Sequence, residues 1–296
     1  MQSGAGQLIR PLCTFFSLCA FLGAAGAEPR LRETSRLVWR IDASWFGGIS
    51  GLELSDGGTA AILITDRGSL VTARIGREND ALKRVDLLTR NLLASTGGTP
   101  FRGKSADAEG LALGAGGTLF VSFEHRHRVM RFEPSGRAVT LPAHPDFIRF
   151  GENAGLEALA LHPDGRLFCL PEELGSGARM FPLYAFDGQA WQITARIPAR
   201  GPFLPVGADF DASGRLYLLE RATTPLGFRS RIRRFDLNPA LATEEELFRS
   251  TPGRYDNLEA IALWQDPAGQ QRVTVIADDN FLPIQRTQIV DFVLEE

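Results

Sequence analysis

A repeat of about 50 residues is the feature that most restricts how this 296-residue chain can fold. Five segments align with one another: ISGLEL, AEGLAL, LEALAL, VGADFD and LEAIAL. Their second residues, called the slot residues below, are Ser50, Glu109, Glu157, Val206 and Glu259. Most segments are followed by a turn rich in glycine or aspartate and then by a second apolar run. Each unit therefore predicts an antiparallel hairpin.

The runs that follow the turns are strong strand candidates because they are rich in β-branched and large apolar residues. They are GTAAILIT, GTLFVSF, GRLFCL, GRLYLL and QRVTVIA. Further strands usually follow, so that each unit holds three or four. This repetition is typical of a β-propeller, in which a blade buries its faces only against neighbouring blades. Five blades are expected, with six as the alternative if one blade is degenerate.

Two features lie outside the simple repeat. The segment RLVWRID precedes the first unit and is expected to complete the last blade, which would close the ring. Only two segments, residues 79–88 and 238–248, are candidates for a helix in this mainly β chain. The fold class predicted is therefore an all-β propeller of about four antiparallel strands per blade.

Residues 1–27 have the pattern of a secretory signal peptide. Arg10 is their only charged side chain, a short apolar run follows, and Ala25-Gly26-Ala27 is a small-x-small cleavage site. The run is too short to predict a membrane span. A lipoprotein site at Cys19 is the alternative. We expect export to the periplasm or the exterior, and one propeller domain over residues 28–296.

The remaining composition excludes several classes of protein. Cys169 would be the only cysteine after cleavage, and its apolar surroundings predict a buried thiol. A net charge of −3 gives no electrostatic reason to expect nucleic acid. The chain has no P-loop, dinucleotide-binding fingerprint, H-E-x-x-H motif or nucleophile elbow. A small anionic or ester molecule is the expected ligand, and the oligomeric state stays open.

The pairing of the hairpins predicts a concentration of acids at one end of the propeller. In an antiparallel pair the start of the first strand lies beside the end of the second. Glu157 is thus placed near Glu172, and alternation puts Leu156, Ala158 and Ala160 on the opposite face from Glu157. The same argument applies to every unit. The resulting ring of candidate metal ligands comprises Asp66, Glu109, Glu124, Glu157, Glu172, Glu259, Asp278 and Asp279.

Carboxylates held close together need compensation for their charge. A divalent cation, Ca²⁺ first of all, takes six to eight oxygen ligands and would suit this ring. Pairing with arginines is the second account, and solvation at the rim is the third. The arginines adjacent in sequence are Arg67, Arg126, Arg128, Arg221 and Arg254.

Two other patterns have weaker chemical meaning. His125 and His127 of FEHRHRV would share one face of an extended segment, where a transition metal, an anion or plain solvation are the alternatives, solvation being favoured. The segment 209–220 matches the spacing of an EF-hand loop, but its flanks are predicted strands. Asp211 is therefore expected to stabilise a turn.

Together the motifs resemble the phytase-like family, described as "esterase-like activity of phytase", over roughly residues 45–294. They are FGGISGLEL, ITDRGSL, DAEGLAL, VSFEHRHRVMRFE, NAGLEALALHPDGRL, YDNLEAIAL, ADDNF and RTQIVDFVL. The resemblance implies an exported propeller-like domain with proposed phosphatase or esterase activity, and no agreed catalytic residues. Val206, in place of a glutamate, departs from the pattern.

Three functions are compatible with these features. The first is a metal-assisted hydrolase, in which Glu157 and Glu259 bind the cation or act on water while Arg67 and Arg126 hold an anionic substrate. The second is a non-catalytic propeller that binds a ligand or a partner, with a structural acidic ring. The third is a lactonase-like enzyme acting on sugar acids.

Overall fold

The structure, a computed structural model, is a five-bladed β-propeller. It describes residue 1 and residues 28–151, 155–173, 178–238 and 243–296. The predicted signal peptide and the Cys19 alternative lie outside the described residues. No described helix is long and apolar enough to cross a membrane.

Each blade is one sheet of four antiparallel strands, numbered outward from the central channel. Blade 1 contains β2 (Ile49–Ser55), β3 (Ala60–Thr65), β4 (Ser69–Glu78) and β5 (Ala81–Leu92); blade 2 contains β6 (Ala108–Leu113), β7 (Leu119–Phe123), β8 (Arg128–Phe132) and β9 (Ala138–Thr140); blade 3 contains β10 (Ala158–Leu161), β11 (Leu167–Leu170), β12 (Met180–Phe186) and β13 (Trp191–Pro198); blade 4 contains β14 (Leu204–Phe210), β15 (Leu216–Thr224), β16 (Gly227–Phe235) and β17 (Glu244–Arg249); blade 5 contains β18 (Asn257–Gln265), β19 (Gln271–Asp278), β20 (Gln288–Glu295) and β1 (Arg30–Val38). Short 3-10 turns occur at Gly103–Ser105, Ala115–Gly117 and Phe147–Arg149.

The predicted number of blades and the predicted closure of the ring are both confirmed. The N-terminal strand is the outermost strand of blade 5 and pairs with β20. It spans residues 30–38, however, and not the expected 36–42. The polar residues before Leu37 concealed it, because an outermost strand buries only part of its surface.

Hydrophobic packing in the described chain occurs between successive blades. Five apolar clusters are present, and each joins side chains of two neighbouring blades. Cys169 is fully buried in the cluster between blades 2 and 3, as its surroundings predicted. Since no blade buries both faces alone, the ring depends on all five interfaces.

The helix candidate at residues 79–88 was wrong, because this segment is a turn followed by the start of β5. The second candidate forms β17 from Glu244 onward, and residues 239–242 lie outside the described ones. Both are outer strands. Their charged, mostly exposed side chains weaken the period-two pattern that marks a strand.

The slot residues owe their orientation to irregular strand pairing. In four blades the slot residue lies at a β-bulge of the inner strand, between Ile49 and Gly51 in blade 1 and at the equivalent points of blades 2, 4 and 5. In blade 3 Glu157 immediately precedes β10. A bulge re-aims the side chain it carries.

The simple alternation predicted around Glu157 was partly wrong for the same reason. Leu156 lies ahead of the strand and packs in the cluster that contains Leu159, whereas Ala158 and Ala160 face blade 4.

Candidate functional site

Carboxylates from four of the five blades meet at one end of the central channel. We call this group the acidic mouth; it comprises Asp66, Asp107, Glu109, Glu124, Glu157, Glu172, Glu259 and Asp278. Glu109, Glu157 and Glu259 are close enough for the negative charges of the latter two to raise the pKa of Glu109. The repeat therefore brings its three glutamates together in space.

Blade 4 contributes an arginine to the mouth where the other blades contribute acids. Its carboxylate, Glu220, is fully buried on another face and pairs with Arg231 and Arg233. The neighbouring Arg221 instead reaches across the mouth, where Nη2 lies 2.8 Å from Glu172 Oε1 and Nη1 bonds to Glu259 Oε1. Arg221 Nη1 also donates to Asn257 Oδ1 at 2.6 Å.

Arginine pairing thus compensates one side of the acidic mouth. Burial raises the pKa of Glu259 and of Glu172, while the positive charge of Arg221 opposes that rise. Of the five arginines considered as partners from the sequence, Arg221 alone forms an ion pair with a mouth acid in the described chain. Arg254, for example, pairs with Glu33.

On the opposite side, toward blades 1 and 2, no arginine forms an ion pair with the described mouth acids. Burial and the charge of Glu157 hold the pKa of Glu109 well above its usual range. Burial, with the charge of Asp107, raises the pKa of Asp66 to about 7. Burial, with the charge of Asp107, likewise raises the pKa of Glu124 to about 7. Such shifts indicate negative charge without compensation.

Asp107, Glu124 and His125 form a compact group on this uncompensated side. One potential ligand atom from each residue lies within 4.8 Å of the others. His125 Nε2 is 2.9 Å from Asp107 Oδ2, and His125 Nδ1 is buried without a hydrogen-bond partner among the described residues. Two carboxylates and an imidazole are a donor set that fits a divalent metal.

A turn and a bulge position this triad. Glu124 and His125 begin the turn between β7 and β8, where His125 has a φ of 55°. Asp107 immediately precedes the bulged strand β6, and its carbonyl accepts the backbone N–H of Glu124 at 2.9 Å. The extended conformation predicted for the two histidines was therefore wrong. His127 turns away and contacts the carbonyl of Gly151 at 2.8 Å.

The aspartates of blades 1 and 5 differ in how many oxygens they have available. Asp66 Oδ1 is buried without a hydrogen-bond partner among the described residues. Asp278 Oδ1 accepts the Asn280 N–H at 2.7 Å, and burial together with the charge of Glu259 raises the pKa of Asp278 to about 8. Asp279 uses both oxygens to fasten its own loop, accepting from Gly48 N, Phe281 N and Thr287 Oγ1.

Below the acidic mouth the channel is nearly closed. Aliphatic residues of the inner strands, including Leu52, Leu111, Leu159 and Ile261, line a remaining space of about 10 Å³. Such a space holds one water molecule at most. The mouth is therefore a bowl with an apolar floor, and not the end of an open pore.

The arginines expected to hold a substrate are both exposed. Arg67, in the turn after β3, stacks on Phe281 with 3.1 Å from its guanidinium carbon to the ring centroid. Arg126 follows His125, and its carbonyl accepts a hydrogen bond from Arg128 at 3.1 Å.

Sequence reasoning missed Asp107 and undervalued His125. Asp107 stands two positions before its slot residue, where blade 5 has Asn257, which donates to Glu259 at 2.6 Å. Comparing that position across the repeat would have revealed a second polar residue next to the slot.

The fold and the site together define a five-bladed propeller with an acidic bowl at one end of its axis. The chain belongs to the phytase-like family, described as "esterase-like activity of phytase", whose model matches residues 44–281. No curated protein sequence matches the chain.

Solved structures share the fold at low sequence identity. A gluconolactonase from Xanthomonas campestris is 15% identical, with a TM-score of 0.45 over 82% of this chain and 72% of that one. An aldose sugar dehydrogenase from Streptomyces coelicolor, in its PQQ-bound form, is 15% identical, with a TM-score of 0.48 over 90% and 100%. A virginiamycin B lyase from Staphylococcus aureus is 12% identical, with a TM-score of 0.42 over 90% and 99%.

Proposed function

We propose that this chain is an exported hydrolase of phosphoester or carboxylester bonds that works with a divalent cation at the acidic mouth. The observation that carries the proposal is the triad of Asp107, Glu124 and His125, beside carboxylates that no arginine neutralises. Membership of the phytase-like family supports an ester substrate. The signal-like pattern of residues 1–27 supports export.

The triad would hold the cation, with Glu109 and Asp66 next to it. A cation bound there would polarise an ester oxygen and lower the pKa of a bound water. Ca²⁺ is our first candidate because carboxylate oxygens predominate in the mouth. The imidazole of His125 makes Mn²⁺ or Zn²⁺ the competitors, since nitrogen donors favour transition metals.

The other residues have distinct tasks in this proposal. Glu157 stands across the mouth from the triad and is the candidate base that accepts a proton from the attacking water. Glu259 is held by Arg221 and Asn257, which fixes the wall facing it. Arg67 and Arg126 are the candidate contacts to an anionic substrate, and the apolar floor limits the water that reaches the bowl.

A non-catalytic binding propeller is the alternative, and Arg221 is the observation that favours it. An arginine that neutralises Glu172 and Glu259 needs no cation, so at least this side of the mouth is stable as a structural ion network.

The deciding experiment measures metal content and turnover on the same protein. After treatment with a chelator, we expect calorimetry to show binding of one of Ca²⁺, Mn²⁺ or Zn²⁺, and hydrolysis of a phosphomonoester or carboxylester to return with that ion. Asp107→Asn should weaken metal binding, and Glu157→Gln should lower kcat/KM at least about hundredfold while the fold persists. Glu246→Gln, at an exposed pair on β17, is the matched control. Absence of binding by all three ions would refute the proposal.

A further inference from the structure

A cleft between blades 1 and 2 opens directly beside the triad and has the opposite charge. Its volume is about 530 Å³, which lies within the range of small-molecule sites. Four basic side chains, Arg67, Arg90, Arg102 and Lys104, line it against two acids, Asp66 and Asp107. Both acids belong to the acidic mouth, so the basic groups dominate the outer part of the cleft.

The arginines of this cleft are held in place without being neutralised. Arg67 stacks on Phe281, and Arg90 stacks on Trp45 with 4.7 Å from its guanidinium carbon to the ring centroid. Arg90 also donates from Nε to Ser69 Oγ at 3.1 Å. None of the three arginines forms an ion pair with any residue that the structure describes.

Aromatic stacking fixes the plane of a guanidinium and leaves its edge N–H groups available. An available edge is the geometry that binds the oxygens of phosphate or carboxylate in a bidentate manner. Three such groups around one cleft exceed what a single carboxylate can use. They match a tetrahedral oxyanion, whose several oxygens can each accept a charge-assisted hydrogen bond.

We propose that Arg67, Arg90 and Arg102 form an oxyanion-binding subsite that holds a phosphate-type group next to the acidic mouth. The group is either a free oxyanion or part of a small organic molecule that enters between blades 1 and 2. The inference deepens the proposed function, because it places the anionic end of a substrate on the blade 1–2 side of the triad. It does not require turnover, however, since the cleft binds an anion whether or not a bond is broken.

The test measures binding of inorganic phosphate by calorimetry to chelator-treated protein, so that a bound metal cannot supply the contact. Arg67→Gln and Arg102→Gln should each raise the Kd roughly tenfold, as expected for one charge-assisted hydrogen bond, and the double variant should raise it further. Arg137→Gln is the matched control, because Arg137 is exposed in the turn after β8. We expect that variant to bind phosphate as the unaltered protein does.

A second ligand distinguishes the two sources of the oxyanion. Phenylphosphonate, whose carbon–phosphorus bond resists hydrolysis, should bind as tightly as phosphate if the subsite takes an organic substrate. Tighter binding of phosphate alone identifies a free oxyanion, and in both cases the subsite stands.

Equal affinity of the unaltered protein and the double variant, or no binding of phosphate at millimolar concentration, would overturn the subsite. Those results are separable from failure of the proposed function. Loss of metal binding and turnover leaves the phosphate measurement intact, and a functioning metal centre leaves the arginine variants decisive.

Discussion

At the scale of single residues, the two blades without a slot glutamate carry an acid three positions further along the inner strand. These acids are Glu53 in β2 and Asp209 in β14. Glu53 Oε1 accepts the Leu113 N–H of blade 2 at 3.0 Å, and Asp209 Oδ2 accepts the Leu263 N–H of blade 5 at 2.6 Å. Each acid therefore ties its inner strand to that of an adjacent blade, deeper in the propeller than the mouth.

This pair should make the stability of the fold depend on pH. Burial and the charge of Asp209 hold the pKa of Glu53 well above its usual range, and burial raises the pKa of Asp209 to about 7. A folded pKa above the unfolded one means that the folded state binds more protons. The stabilisation is then complete below about pH 4 and is lost as pH rises toward about pH 7.

Glu53→Gln tests this effect. The glutamine can keep its oxygen on the Leu113 N–H while removing one of the two coupled charges. We expect the free energy of unfolding in urea to fall by about 1–2 kcal/mol less between pH 5 and pH 8 in the variant than in the unaltered protein. An identical pH dependence in both proteins would show that Glu53 is already ionised without cost. Glu246→Gln serves as the exposed control.

At the scale of secondary structure elements, the inner strands could be predicted and the outer ones only in part. Inner strands such as β7 and β11 are buried on both faces, so their sequences are continuous apolar runs between turns. Outer strands such as β5 face solvent and lose that pattern. The acid ring followed from antiparallel pairing, whereas the bulges that aim the slot side chains leave no clear trace in a single sequence.

The candidate site shows the same division. Glu109, Glu157 and Glu259 could be grouped because a repeat places equivalent residues at equivalent points. The choice of compensation depended on which side chain crosses between blades. Arg221 reaches Glu172 of blade 3 and Glu259 of blade 5, and that reach is a property of the assembled ring. Asp107 joined the site through a turn of its own blade that local pattern did not reveal.

Close approach of inner strands explains the glycine that follows the slot in three blades. A Cβ at Gly207 would lie 2.6 Å from the carbonyl oxygen of Glu259, and one at Gly110 would lie 2.6 Å from the Cβ of Leu159. Backbone atoms of an adjacent blade cannot move aside independently. The small residue is therefore a condition for bringing Glu109, Glu157 and Glu259 into one bowl.

Gly207→Ala should push blades 4 and 5 apart at the mouth. We expect thermal or urea unfolding to show a loss of about 1–3 kcal/mol, the usual cost of overpacking. Metal affinity should fall with it, because Glu259 sits at the contact. Gly97→Ala is the control, since a Cβ there would meet only Ser95 Oγ, at 3.9 Å. Equal stability of the two variants would contradict the close-packing argument.

At the scale of the whole molecule, closure of the ring depends on a strand from the opposite end of the chain. β1 pairs with β20 along most of its length, and Leu31 packs into the cluster between blades 4 and 5. Glu33 adds contacts to Arg254 and to the hydroxyl of Tyr255, which donates at 2.5 Å. Without β1, the backbone edge of β20 would be unpaired.

A chain that begins at Trp39 should therefore be much less stable than one that begins at Glu28. Losing a paired strand and its buried side chain removes several kcal/mol, which corresponds to a fall in Tm of roughly 10 °C or more for a chain of this size. Calorimetry of the two chains measures the difference, and a synthetic peptide of residues 28–38 should restore part of it by re-pairing with β20. A truncated chain with an unchanged Tm would mean that the other contacts of blade 5 suffice to close the propeller. Because the acidic mouth draws residues from blades 1 and 5, which meet where the ring closes, truncation should also weaken metal binding, and peptide addition should recover both properties together.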